Sequence, residues 1–228
     1  MTCTWLGQAG LLFDFDGIKV MIDPYLSDSV ATVNPLNNRL VEVNENFFEI
    51  KPDILILTHD HLDHTDPETL EIILNKWNGI CVLASRNAWK HVRVYGRDHN
   101  YVMFDRDTRW VQNGIRFQAV HAQHSDEHAV GVLITHRGKT YYVTGDTLYH
   151  NSVIEDVKKA AVNIEVVFLP VNGVGNNMNM EDAADFAREI DANKVVPVHF
   201  GLFDTLQPER DLHVENKIVP KIWQEIAI

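Results

Sequence analysis

The run Ile54-Leu55-Ile56-Leu57 constrains this chain more than any other segment. It offers no polar position, so a strand built on it has no face to give to water. Such a strand must lie inside a sheet that is covered on both sides. Ile80–Ala84 has the same character and predicts a second buried strand. Helical signals follow each run. Asp66 as N-cap and Pro67 at the first helical position predict a helix to about Trp77, and a second runs from Asn87 to about Val94.

Around these strands the chain reads as two similar halves. Thr2–Leu6, Leu11–Asp16 and Ile18–Asp23 are expected strands, with Asp16-Gly17 as the turn of a hairpin. Tyr25–Asn46 is polar and without periodicity, and predicts a long loop with a short helix. The second half predicts strands at Tyr101–Phe104, Thr108–Val111, Ile115–Val120, Ala129–Thr135, Lys139–Thr144, Val166–Leu169 and Val195–Val198. Helices are expected over 152–161, 181–190 and about 214–226. Each half builds one sheet with helices on its outer face, which predicts a four-layer αββα sandwich of the α/β class. No repeat of fixed period and no linker interrupts the 228 residues, so residues 1–228 are read as one domain.

Charge and cysteine usage narrow the function. The formal charge of −12, from 20 Lys and Arg against 32 Asp and Glu, argues against a nucleic-acid partner. Cys3 and Cys81 form no disulfide framework and suit a reducing compartment. The N-terminus shows no secretory pattern, and no apolar run approaches the ~20 residues of a membrane span. The expectation is a cytoplasmic protein with no membrane association and a small-molecule substrate. Its oligomeric state is open.

The chemistry lies just after the first buried strand, in His59-Asp60-His61-Leu62-Asp63-His64. A chain leaving a strand in extended form puts residues i and i+2 on one side, so His59 and His61 can share one ion. Asp63 and His64 sit where the chain turns toward the helix and can face a second ion. Neutral imidazole and carboxylate are ordinary ligands for borderline divalent metals. Further along, Gly145-Asp146-Thr147 ends one predicted strand and His199 ends another; in isolation each would pass for a turn or a structural residue.

These residues together resemble the metallo-β-lactamase superfamily. The resemblance implies a two-metal hydrolase in which a third His completes the first site, an Asp bridges the ions and a last His completes the second. His124, in Ala122-Gln123-His124-Ser125, is the third ligand that the resemblance favours; His121 is the competing choice, with His128 nearby. Asp146 takes the bridging place and His199 the last one. The implied metal set is therefore His59, His61, Asp63, His64, His124, Asp146 and His199. Trp5-Leu6-Gly7-Gln8-Ala9-Gly10 and Ile22-Asp23-Pro24-Tyr25-Leu26-Ser27-Asp28 also look familial; Asp23 either orients a ligand His or simply ends a turn. The nearest branch is similar to the L-ascorbate-6-phosphate lactonases, through Asp23–Ser27, Thr144–Thr147 and Leu169–Gly173 leading to Asn176–Met180, although this chain is markedly shorter.

The implied chemistry is hydrolysis by two divalent ions that share a water and lower its pKa, with Asp63 as a ligand and proton shuttle. The resemblance implies manganese, while five His and two Asp slightly favour zinc. The expected substrate is a lactone or related carboxylic ester of a small anionic sugar-like molecule. Tyr25–Asp28, the 30–48 loop, Asn172–Asn179 and Phe200–Phe203 are expected to frame it. A phosphodiesterase or nuclease would share the metal motif. A thiolester hydrolase would call for an added helical region, and a non-catalytic metal-binding regulator for a damaged ligand set.

Overall fold

The computed structural model describes residues 1–228 and holds twelve strands in two six-stranded sheets. The first sheet follows chain order: β1 (Thr2–Gly7), β2 (Gly10–Phe15), β3 (Ile18–Ile22), β4 (Ile54–Leu57), β5 (Cys81–Ala84) and β6 (Asn100–Met103). β1 to β3 pair antiparallel and β3 to β6 parallel. The second sheet contains β7 (Arg109–Gln112), β8 (Ile115–His121), β9 (Val130–His136), β10 (Lys139–Val143), β11 (Val166–Pro170) and β12 (Val195–Val198). β7 to β10 are antiparallel, and β10 to β12 parallel. Each half of the chain thus makes its own sheet.

Side-chain alternation shows how the layers stack. In β4, Ile54 and Ile56 join an apolar cluster shared with the second sheet. Leu55 and Leu57 point the other way, onto Leu70, Ile73 and Leu74 of α2 (Pro67–Lys76) and Ala88 and Val92 of α3 (Arg86–Val92). The unbroken apolar run is explained by this double cover. Between the sheets, Phe13 meets Phe168 edge-on with ring centroids 5.4 Å apart. Each such side chain contributes about 1.5–3 kcal/mol by leaving water. The outer face of the second sheet is covered by α4 (Asn151–Ala160), through Val153 and Val157, and by α5 (Met180–Glu189), through Phe186 and Ala187. The result is the αββα arrangement.

Local chemistry sets the element ends that matter for the site. The Asp66 carboxylate accepts from the Glu68 and Thr69 amides, so α2 begins immediately after the His-rich turn. The 25–46 segment contains α1 (Ser29–Val33) and a short 3-10 turn at Pro35–Asn37; a second 3-10 turn follows at Glu45–Glu49.

The expected helix over 214–226 does not form. Pro220 lacks an N–H and disfavours helical geometry at Val219. The only helix in this region is α6 (Pro208–Asp211), and Lys217 Nζ donates to its Pro208 and Glu209 carbonyls at 3.0 and 2.8 Å. The tail instead lines both sheet edges. Val195 N donates to Asn216 O, and Ile218 N to Val195 O, along β12; Trp5 N donates to Gln224 O, and Ile226 N to Cys3 O, along β1. β1 and β12 are edge strands, so one segment satisfies backbone groups that would otherwise be open to pairing with another chain.

Candidate metal centre

Six strand ends deliver the site. β4 runs into Thr58 and the turn 59–64, where the His64 amide donates to His61 O at 3.0 Å. His124 lies between β8 and β9, Asp146 follows β10 and His199 follows β12. The β1–β2 turn brings Gln8, and the end of β3 brings Asp23. Two backbone hydrogen bonds join the sheets here: Val130 N to Thr58 O at 3.0 Å, and His199 N to Gln8 O at 2.8 Å. Gly145 has φ +60, and a Cβ there would stand 3.0 Å from Val130 O and 3.1 Å from Thr58 Cβ. Only glycine lets the two strand ends approach so closely.

The seven residues that the sequence singles out converge. Ligand-type atoms of His59, His61, His124 and Asp146 all lie within 4.8 Å of one another, and those of Asp63, His64 and His199 do likewise. The Asp146 carboxylate stands between the groups. Its Oδ1 is 3.4 Å from His64 Nε2, and its Oδ2 is 3.2 Å from His199 Nε2 and 3.9 Å from His124 Nε2. His121 and His128 are outside both groups. Of the other histidines, His91 pairs with Asp60, His99 accepts from Ile80 N, His136 lies near Asp16, and His150 caps α4; His213 also lies outside the groups.

The donor set fits divalent ions. His59 Nε2, His64 Nε2 and Asp146 Oδ1 are buried and have no hydrogen-bond partner. Leaving each such atom unsatisfied costs about 1–3 kcal/mol, and each of the three residues belongs to one of the two clusters. Imidazole nitrogen and carboxylate oxygen in groups of three and four are what zinc or manganese would take.

Electrostatics divides the two groups. Burial, helped by the nearby His64, drives the His59 pKa well below the usual imidazole value, and burial also lowers that of His124. Both therefore stay neutral and ready to ligate. Burial opposes charge on His64 and His199 as well, but the Asp146 and Asp63 carboxylates outweigh it. His64 is raised well above the ordinary range and His199 to about 9. Asp146 in turn is held well below the carboxylate range, because His199 and His64 overcome its burial. An ion entering beside Asp63, His64 and His199 must displace protons.

Gln8 and Asp126 carry no role in the sequence reading, whereas Asp23 and the 171–179 loop do. Gln8 Nε2 donates to Asp63 Oδ2 at 2.8 Å, while Trp5 Nε1 donates to the Gln8 carbonyl at 2.9 Å. A polar side chain in a glycine-flanked turn at the end of an apolar strand was the signal available for it. Asp126 accepts from Asp60 N, Asn87 Nδ2 and His128 N, and no sequence pattern marks it. Asp23 is fully buried and takes Thr58 N at 2.8 Å and His64 Nδ1 at 2.9 Å, which makes it an orienting acceptor. In the 171–179 loop, Asn177 Nδ2 donates to Asp146 Oδ2 at 2.8 Å and the Asn176 carbonyl lies 3.2 Å from His124 Nδ1. Asn179 caps α5.

A cleft of about 490 Å³ opens onto these groups. His61, Asp63, Asp146 and His199 bring the two clusters to its wall, Gln8, Asn172, Asn176 and Asn177 supply amides, and Val30, Val174 and Phe203 supply apolar surface. It contains no Lys or Arg. A second depression, about 570 Å³, lies on the outer face of β7–β9 beside Arg109 and Arg116, far from any ligand cluster.

The chain is similar to known proteins over nearly its full length. The family described as Beta-lactamase superfamily domain matches residues 2–199. A UPF0173 metal-dependent hydrolase of Anoxybacillus flavithermus is 30% identical over 224 residues, covering 92% of this chain and 90% of the relative. Among solved structures, Igni18, a metallo hydrolase from Ignicoccus hospitalis, superposes with a TM-score of 0.77 at 20% identity, covering 98% of this chain and 96% of its own. An isothiocyanate hydrolase from Delia radicum gut bacteria gives 0.76 at 18%, covering 100% and 99%. At these identities the structural likeness fixes the fold and leaves the chemistry of the cleft to its loops.

Proposed function

The chain belongs to the beta-lactamase superfamily and, within it, to the UPF0173 metal-dependent hydrolases, and we propose that it hydrolyses a lactone or related carboxylic ester with a pair of divalent ions. The observation that carries this reading is the set of buried, unpartnered ligand atoms on His59, His64 and Asp146, behind an open cleft that His61, Asp63, Asp146 and His199 line. His59, His61 and His124 would hold one ion and Asp63, His64 and His199 the other, with Asp146 between them. When bound, the ions supply Lewis acidity and make a shared water acidic near neutral pH.

The chain's own groups do the rest. Gln8 holds Asp63 through Oδ2, which leaves Oδ1 to take a proton from the attacking water and return it to the leaving oxygen. Asn177 holds Asp146 against rotation. The side-chain amides of Asn37 and Asn176 and the apolar Val30, Val174 and Phe203 offer a substrate hydrogen bonds and contact area but no countercharge. That lining favours a substrate whose non-reacting part is neutral. The anionic sugar expected from the sequence would meet cations only at the ions themselves, and a nucleic-acid strand would find no phosphate clamp.

Metal analysis of the purified protein, followed by assays after loading with Mn²⁺ or Zn²⁺, tests the proposal. Two equivalents with turnover of sugar lactones support it, and neutral lactones are expected to outperform their phosphorylated counterparts. Cleavage of phosphodiesters alone would transfer the protein to the phosphodiesterase reading, and absence of bound metal after loading would refute the two-ion centre.

A further inference from the structure

The five clustered histidines differ in one respect. Each should present one ring nitrogen to an ion and keep a hydrogen on the other, which needs an acceptor. For four of them an oxygen is in place. Thr58 Oγ1 lies 3.1 Å from His59 Nδ1, Ser125 Oγ 3.2 Å from His61 Nε2, Asp23 Oδ2 2.9 Å from His64 Nδ1, and the Asn176 carbonyl 3.2 Å from His124 Nδ1. His199 alone faces nitrogen. Its Nε2 points to Asp63 and Asp146, and its Nδ1 lies 3.0 Å from Asn172 Nδ2 and 3.1 Å from Gln8 Nε2.

The two amides are not equivalent. Gln8 Nε2 stands 3.2 Å from His199 Nε2 as well, so it is not aligned with Nδ1 in particular. Its orientation is fixed by the Asp63 carboxylate, to which it donates at 2.8 Å. Asn172 has no such anchor: its Oδ1 is buried and without a partner. A half-turn of this amide exchanges Oδ1 and Nδ2. The exchange gives the orphaned oxygen a donor and the Nδ1 hydrogen an acceptor in a single motion.

We propose that Asn172 is the positioning residue for His199, turning its Oδ1 to the Nδ1 hydrogen so that Nε2 is free to bind the ion beside Asp63 and His64. This rests on the two-ion reading above. It assigns Asn172 to the metal and not to the substrate. Through Asn172, Asn176 and Asn177, the 171–179 loop steadies a ligand of each ion and the carboxylate between them.

The test compares N172L, which keeps the side-chain size and loses the acceptor, with N172D, which keeps acceptor oxygens and loses the amide hydrogens. Zn²⁺ affinity is read for each equivalent by competition with a chromophoric chelator, and melting of the metal-free proteins reports any structural loss. Expected are about 10–100-fold weaker binding of one equivalent in N172L, with the other unchanged, and near-native binding of both in N172D. Native affinities in N172L, or an equal loss in N172D, would overturn the assignment. Should the unsubstituted chain bind fewer than two equivalents, the two-ion reading itself fails and this inference falls with it.

Discussion

Removing the Asp23 carboxylate is the most informative single perturbation away from the ligands themselves. The side chain has no solvent exposure and ties the end of β4 to His64, accepting Thr58 N at 2.8 Å, Thr58 Oγ1, and His64 Nδ1 at 2.9 Å. In Asp23→Ala, the Thr58 amide and the His64 ring hydrogen are left buried and unpaired, at about 1–3 kcal/mol each. The backbone at Asp23 has φ +42, which an alanine tolerates less well than an aspartate. The total is about 3–5 kcal/mol, in line with breaking a buried charged contact. At about 2–4 °C per kcal/mol for a chain of this length, Tm should fall by roughly 6–20 °C. Asp23→Asn separates the two consequences. It accepts the left-handed backbone and can keep the Thr58 amide bonded, but it then turns an NH₂ toward His64. Most of the stability should return while affinity for one metal equivalent stays about 10–100-fold reduced. Calorimetry of the metal-free proteins and chelator competition measure the two. An Asp23→Ala protein with native Tm and native zinc affinity would refute the reasoning.

Three further outcomes follow from the site. His124→Ala should cost about one metal equivalent by elemental analysis, while His121→Ala should keep both; the reverse would exchange their assignments. With its pKa raised to about 9, His199 contributes a charged pairing that is whole below about pH 6.5 and is lost as pH rises through 9. An ion beside Asp63, His64 and His199 displaces a proton from each of the two raised histidines, so affinity for one equivalent should rise by more than tenfold, up to about a hundredfold, per unit between pH 7 and 9, and a flat profile in competition titrations would contradict this. Stripping the metals with a chelator should lower Tm by roughly 8–16 °C, because ligand at about 1,000 times its Kd adds about 4 kcal/mol; an unchanged melt would mean that the clusters are not filled.

Much of the fold was legible because its signals were local. The all-apolar Ile54–Leu57 run announced a doubly covered strand, and Asp66-Pro67 fixed the start of α2. In the C-terminal tail Pro220 is the one local signal against a helix, and the course the tail takes instead is set by long-range hydrogen bonds to Cys3, Trp5 and Val195 that leave no trace in the spacing of residues 214–226. The same distinction runs through the site. His59, His61, Asp63 and His64 share one turn and their chemistry can be read from spacing. Gln8 and Asn172 act across 55 and 27 residues, through contacts that only folding creates.

The two sheets each bring an incomplete set of ligands, and this explains why the site sits where it does. The first sheet supplies His59, His61, Asp63 and His64 from the end of β4, and the second supplies His124, Asp146 and His199 from the ends of β8, β10 and β12. Neither cluster is whole without both sheets, since His59 and His61 need His124 and Asp146, and Asp63 and His64 need His199. The sheets therefore have to meet at this end in fixed register. The Val130–Thr58 and His199–Gln8 hydrogen bonds and the close approach at Gly145 provide that register beneath the two clusters. Substrate choice is not constrained in the same way. Val30 and Asn37 come from the long 25–46 segment, Val174 and Asn176 from the 171–179 loop, and Phe203 and Asp204 from the chain after β12. Apart from Asn172, Asn176 and Asn177, which touch His199, His124 and Asp146, these loops can change without disturbing the sheet contact that assembles the clusters, so the ligand set follows from the fold, whereas the substrate follows from the cleft lining of this chain alone.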